Sequence, residues 1–193
     1  MEDKFTLSIY LAVPGTPLKK GGSSAAGHMY FDVTQGKEEF SYGFAPIAHG
    51  VMFGAGEITS PESPNYINPH YTRTMEITQA QYEKLNVFAK NPGQFGFNLY
   101  YTGNANSCID FTWAALNYAG IHTRVAKPRA GMQPNKEYQG ALKPIDNIND
   151  IRKIAAPFPG SPLNSEETRP LPPRTLMQKL LTENDRQGVR RYA

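Results

Sequence analysis

Proline and glycine divide the apolar residues of this chain into short runs. The 193 residues include 17 Gly and 16 Pro, and only 19% are charged. Short runs rich in aliphatic, aromatic and β-branched side chains, bounded by Gly and Pro, are typical of strands. We therefore expect strands in five segments, namely 5–13, 29–33, 40–44, 51–58 and 72–77.

One predicted helix has signals at both ends. Thr78 with Gln81 forms a capping-box pattern, and the helix should run to about Lys90, where Asn91-Pro92-Gly93 ends it. Later signals are weaker and predict short helices only near 147–154 and 176–181. Segment 157–173 contains six prolines and should be extended or loose. We predict one domain over 1–155 and a Pro-rich extension with a short helix over 156–193.

Charge and targeting signals exclude several classes of protein. The net charge of +3, with a pI near 8.9, is too weak to predict nucleic-acid binding. No apolar run approaches the ~18 residues of a membrane span, so no membrane insertion is expected. The N-terminus lacks the pattern of a signal peptide, which predicts synthesis in the cytoplasm. Neither a cofactor nor a metal site is predicted.

Cys108 is the only cysteine of the chain, so no internal disulfide can form. It follows a Gly/Asn loop and begins a predicted helix that runs to about Ala119, with Ser107 as N-cap and Gly120 as C-cap. The positive end of a helix favours a thiolate, and its free N–H groups can stabilise an oxyanion. Cys108 is therefore a candidate nucleophile, although a lone cysteine is more often an inert core residue.

Polar residues beside Cys108 are candidates for binding the substrate or its oxyanion. Asn104 and Asn106 lie in the preceding loop and offer side-chain donors, although turn and capping roles also fit them. We predict them, with Ser107 and Tyr42, as substrate-binding or oxyanion residues.

A thiol nucleophile needs a base, and the chain has four histidines. His28 follows Gly27 at the start of an apolar strand, where glycine allows close approach of another backbone or a substrate. His49 and His70 lie in loops. His122 lies at the far end of the cysteine helix, about 16 Å away, beyond hydrogen-bond reach. These positions favour His28 as the base.

Two segments together resemble a known group of enzymes. "Gly27-His28-Met29-Tyr30-Phe31-Asp32-Val33", followed by "Asn106-Ser107-Cys108-Ile109-Asp110-Phe111-Thr112", is similar to the circularly permuted NlpC-type papain-like hydrolases, and the likeness spans about 27–120. It implies an α+β fold with the cysteine helix packed against an antiparallel sheet. It also implies an acyl-enzyme mechanism with His28 as general base and acid.

The family's third catalytic residue lies about a dozen positions after the histidine, where this chain has Phe40. Ser41 is the nearest polar residue, and we predict it as the residue that orients His28. His49, Asp32 or a backbone carbonyl remain alternatives.

The chain also resembles type VI secretion toxins that hydrolyse peptidoglycan, through segments 41–46 and 156–163. That resemblance implies a secreted antibacterial effector that cleaves peptidoglycan peptides in the periplasm of a target cell. We also expect a monomer. An immunity protein and a component of the secretion apparatus would be its partners. Two alternatives stay open. The same Cys-His pair would suit an acyltransferase, thioesterase or protein protease, and a non-catalytic binding module would use the Pro-rich tail as a partner ligand.

Overall fold

The computed structural model describes residues 4–48, 50–122 and 140–179. They form an α+β fold in which one seven-stranded antiparallel sheet packs against helices. The strands are β1 Phe5–Ala12, β2 His28–Gln35, β3 Glu38–Pro46, β4 Phe53–Thr59, β5 Tyr71–Ile77, β6 Tyr100–Thr102 and β7 Ser165–Thr168. The helices are α1 Gln79–Lys90, α2 Cys108–Tyr118 and α3 Ile148–Arg152. The predicted α+β class with an antiparallel sheet is thus confirmed.

The strand order is β6-β4-β3-β2-β1-β5-β7, and each pair of neighbours is antiparallel. Strand β2 lies in the middle, with Tyr10 opposite Tyr30 on one side and Asp32 opposite Ser41 on the other. Because side chains alternate along a strand, this register fixes which residues share each face of the sheet.

Helices α1 and α2 cover one face of the sheet with an apolar core. Phe111 of α2 packs on Phe31 and Phe44, with ring centroids 5.9 and 6.1 Å apart, and Phe88 of α1 completes the cluster. All four rings are buried. Each large apolar side chain buried this way contributes about 2–3 kcal/mol, so this face supplies most of the driving force for folding.

The opposite face of β2 presents His28, Tyr30 and Asp32. The loop between β4 and β5 covers it, and Tyr66 of that loop stacks on the Tyr30 ring at 5.2 Å. Asp32 is buried, yet neither of its carboxylate oxygens has an aligned hydrogen-bond partner among the described residues. The second face of the sheet is therefore a buried polar and aromatic layer.

Both helix starts predicted from capping patterns are confirmed. Thr78 and Gln81 exchange side-chain and backbone hydrogen bonds before α1, and Ser107 does the same with Asp110 before α2. Gly120 follows α2 with a left-handed φ of 69°, as a C-cap glycine requires.

The C-terminal extension is more ordered than its prolines suggested. Within the segment expected to be extended or loose, β7 pairs with β5 and becomes an edge of the sheet. Residues 176–179 are helical, and Gln178 donates to the backbone oxygen of Ser24. The remainder of the predicted 176–181 helix lies outside the described residues. Within the described ranges, no helix has the length and apolar composition that crossing a bilayer requires.

Candidate active site

Cys108 is the first residue of α2, and the N-terminal cap of that helix fixes its position. The Ser107 side chain accepts from the backbone N–H of Ile109, while the Asp110 carboxylate accepts from the backbone and hydroxyl of Ser107 at 2.9 and 3.1 Å. The first N–H groups of a helix have no partner within the helix. Cys108 therefore lies at the positive end of the helix dipole, while the Ser107 side chain satisfies the N–H groups of Ile109 and Asp110.

His28 is the first residue of β2, and Gly27 determines how the chain enters that strand. Gly27 has a φ of +83°, and a Cβ there would lie 2.7 Å from the backbone oxygen of Ala12. Only glycine fits both conditions. The Thr112 hydroxyl, one turn after Cys108, lies 3.0 Å from the backbone oxygen of Cys108 and 3.4 Å from that of Met29, and can donate to either. The contact with Met29 holds the start of α2 beside the start of β2.

The structure brings His28 and Cys108 together. Both side chains are buried, and Cys108 lies close enough to the imidazole to raise the pKa of His28. Burial lowers the pKa of His28, but Cys108 and Glu62 outweigh that effect and raise the pKa from 6.5 to about 10. The imidazole is thus held as a cation next to the sulfur.

A third group at this site, Glu62, was not anticipated from the sequence. Its Oε1 lies 3.1 Å from Nε2 of His28, and both side chains are buried. The distance is that of an ion pair, although the ring N–H is not aligned on the oxygen as in an ideal hydrogen bond. Burial raises the pKa of Glu62, but His28 reverses this and leaves the pKa below its ordinary value. Glu62 therefore carries a negative charge that stabilises the imidazolium.

Gly43 of β3 makes room for this ion pair. A Cβ at Gly43 would lie 2.8 Å from Nε2 of His28 and 2.8 Å from Cγ of Glu62. Non-bonded carbon contacts normally exceed that distance by about 0.7 Å or more, so a side chain at this position would push the two groups apart. The glycine of the Ser41-Tyr42-Gly43 segment thus has a steric role at the site.

Ser41 does not take the predicted place beside His28. Its hydroxyl oxygen accepts from the backbone N–H groups of Glu62 and Ser63 at 3.0 and 2.5 Å. Its hydroxyl also lies close enough to Asp32 to favour the ionised carboxylate there. Ser41 therefore anchors the loop that carries Glu62, and the carboxylate, rather than the serine, contacts the imidazole.

Asp32, one of the alternatives for that role, lies four residues along β2 from His28, about 13 Å at the rise of a strand. Burial raises the pKa of Asp32 to about 6, although the hydroxyls of Ser41 and Ser63 partly oppose this. Asp32 is thus part of the buried layer that supports the site. The alternative His49 lies outside the described residues.

The predicted oxyanion residues mainly have structural contacts. The Asn106 amide donates to the backbone oxygens of Asn98 and Tyr100 at 2.6 and 2.8 Å, which uses both of its hydrogens. Ser107 caps α2, and Asn104 lies in the turn before it. The backbone N–H of Cys108 is accordingly the better donor for an oxyanion.

Tyr42 does not line the site. It lies in the core on the helix face of β3, and its hydroxyl donates to Asn86 of α1 at 2.8 Å. Because successive residues of a strand point to opposite faces, Tyr42 points away from the face that carries Ser41 and Gly43, and its hydroxyl is already paired with Asn86.

The other described histidines lie elsewhere. His122 packs on Trp113 of α2, with ring centroids 4.9 Å apart, and the backbone oxygen of His70 accepts from Arg169 in the C-terminal extension. Among the described residues, no group of three or more His, Cys, Asp or Glu side chains is placed to hold a metal ion.

Comparisons with protein-family models, curated proteins and solved structures find no match to this chain. The likeness to NlpC-type hydrolases therefore rests on the two quoted sequence segments alone.

Proposed function

We propose that the protein is a cysteine hydrolase that cleaves amide bonds through a thioacyl-enzyme intermediate. The observation that carries the proposal is the buried cluster at the N-terminus of α2, in which the imidazole of His28 is paired with Glu62 and lies close to Cys108. A nucleophile, a base and a group that orients the base form the general pattern of covalent acyl transfer. A cysteine that merely fills the core has no need of a charged partner.

The finer fold assignment is part of the same proposal. The strand that carries the histidine precedes the helix that carries the cysteine, and this order supports a circularly permuted papain-like fold. The contact of α2 with the centre of an antiparallel sheet also supports it. Residues 1–155 would then be the catalytic domain, with 156–193 as an extension that adds β7 to the sheet.

Each of the three residues has a separate role in the proposed reaction. The Cys108 thiolate attacks the carbonyl carbon of the amide, and the backbone N–H of Cys108 stabilises the oxyanion. The carbon–nitrogen bond then breaks, and His28 gives its proton to the departing amine, which leaves a thioester. Water attacks the thioester while His28 takes a proton from it, and the acid leaves as the thiolate is restored. Glu62 stabilises the imidazolium that each step uses or forms.

The substrate and setting follow from the resemblance to peptidoglycan-hydrolase toxins. We propose a peptide of peptidoglycan as substrate, delivery by a type VI secretion apparatus, and action in the periplasm of a target cell. A cognate immunity protein in the producing cell belongs to the same proposal.

Alkylation of Cys108 by iodoacetamide tests the chemistry without any assumption about the substrate. We expect fast labelling of the intact protein at pH 6, where an ordinary thiol is almost wholly protonated. His28→Ala should slow labelling at pH 6 by about tenfold or more, whereas His70→Ala should leave it unchanged. Equal, slow labelling of all three proteins would contradict the proposed pair.

Digestion of purified sacculi tests the substrate. We expect new muropeptides from the wild-type protein and none from Cys108→Ala, a variant that keeps the shape of the site. A reactive thiol together with intact sacculi would assign the same chemistry to another acyl group, such as that of a thioester or a protein.

A further inference from the structure

Tyr66 contacts the catalytic histidine through its ring. The Tyr66 and His28 rings are nearly parallel, with centroids 5.3 Å apart and an angle of 14° between their planes. Tyr30 packs against both, at 5.7 Å from His28 and 5.2 Å from Tyr66. Offset stacking of this kind is a favourable geometry for aromatic pairs.

The backbone around Tyr66 is fixed on both sides. The N–H of Ile67 donates to the oxygen of Pro17 at 2.9 Å, and the N–H of Lys19 donates to the oxygen of Asn65 at 3.0 Å. The same pairing forms a β-bridge between Leu18 and Tyr66. Two loops thus hold the ring at a set position over the imidazole.

The location of the ring also suits a cation. A positive charge within about 6 Å of an aromatic centroid is attracted to the face of the ring, and more strongly where water is excluded. His28 is buried and lies within that distance. Burial, with a smaller contribution from the charges of Glu62 and Cys108, raises the pKa of Tyr66, so the phenol remains neutral.

We propose that Tyr66 is a positioning residue that holds the His28 imidazolium, by ring stacking, in the plane that serves both Cys108 and Glu62. The inference rests on the proposed cysteine hydrolase function and adds a fourth member to its site. It assigns the role to the ring of Tyr66 and not to its hydroxyl.

Two substitutions at Tyr66 separate the ring from the hydroxyl. The rate of Cys108 alkylation by iodoacetamide is measured from pH 4 to pH 10. For Tyr66→Leu we expect an onset of labelling at higher pH and a rate at pH 6 that is lower by about tenfold, as the loss of a buried cation–π contact implies. Tyr66→Phe, which keeps the ring, should keep most of the wild-type alkylation rate at pH 6. Ile67→Ala, in the same loop with a half-exposed side chain, is the matched control.

Three results would overturn the inference. Tyr66→Leu could label with the wild-type profile, Tyr66→Phe could be as slow as Tyr66→Leu, or Ile67→Ala could be equally slow. If Tyr66→Leu does not stay folded by circular dichroism, Tyr66→Met provides the same comparison with a longer side chain. An unreactive thiol in the wild-type protein is a different result, because it would contradict the proposed function itself.

Discussion

The two faces of strand β2 differ in chemistry although their residues alternate along one strand. Met29, Phe31 and Val33 face the helices and are surrounded by apolar side chains. His28, Tyr30 and Asp32 face the loop between β4 and β5, where buried charges and hydroxyls meet. Apolar burial stabilises a fold, whereas buried polar groups cost free energy unless they are paired. The comparison indicates that the helix face provides stability and that the loop face is maintained for chemistry.

The largest effect should come from removing a ring on the helix face. Phe111→Ala leaves a cavity among buried rings and should lower the free energy of unfolding by about 3–5 kcal/mol. Urea unfolding measures it, with Val87→Ala, an exposed site on α1, as the control. An unfolding curve for Phe111→Ala that overlies the wild-type curve would show that this face does not carry the fold.

On the loop face the main loss should be one of activity. Glu62→Gln keeps the shape of the side chain but removes the charge beside the imidazole. The value of kcat/KM, measured from the rate of product release, should therefore fall by about 100-fold. The alkaline limb of the activity profile should also move to lower pH, because the pKa of His28 falls without that carboxylate.

The exposed Glu57→Gln on β4 is the matched control for that substitution and should behave as the wild type does. A Glu62→Gln enzyme with unchanged activity and unchanged alkaline limb would remove Glu62 from the site.

A smaller effect is expected from filling the space at Gly43. Gly43→Ala should displace His28 from Glu62 and lower kcat by about tenfold or more, since small misplacements of reacting groups are costly. Gly160→Ala, where no atom lies within 4 Å of the added Cβ, should have no effect. Full activity in Gly43→Ala would mean that the two groups need not be in contact.

The smallest effect is a gain of stability. The pKa of Asp32 is raised on folding, so the folded state holds its proton more tightly than the unfolded state does. The free energy of unfolding therefore falls as the pH rises from about 4 through about 6. Asp32→Asn should therefore stabilise the fold at pH 8 by about 1 kcal/mol, with little gain at pH 4. Thermal unfolding at the two pH values tests this. An equal change in the melting temperature of Asp32→Asn at pH 4 and at pH 8 would show that Asp32 does not change its ionisation in this range.

The sequence carried more information about the helix face than about the loop face. Apolar runs and capping residues predicted β1, β2, α1 and α2, because these signals are local in the chain. The pairing of Cys108 with His28 was also accessible, since a helix start and a strand start limit where each side chain can lie.

The alternation of His28, Tyr30 and Asp32 with apolar neighbours was a further signal that β2 has a second buried face. No local signal identifies what covers that face. Glu62 and Tyr66 lie in a proline-rich loop and reach His28 only because tertiary contacts fold the loop across the strand. Strand β7 was missed for a similar reason, because its exposed residues are ordered by pairing with β5 and not by burial.

The central claim is that His28 is a cation stabilised by Cys108 and Glu62, and a pH titration of its ring protons by NMR measures this charge directly. Because the pKa of His28 is raised, its charge stabilises the fold fully below about pH 6.5, and this contribution is lost as the pH rises through about 10. We predict that the wild-type ring stays protonated until about pH 10 and titrates at lower pH in both Cys108→Ala and Glu62→Gln. A wild-type ring that titrates near 6.5, unchanged by either substitution, would contradict the account.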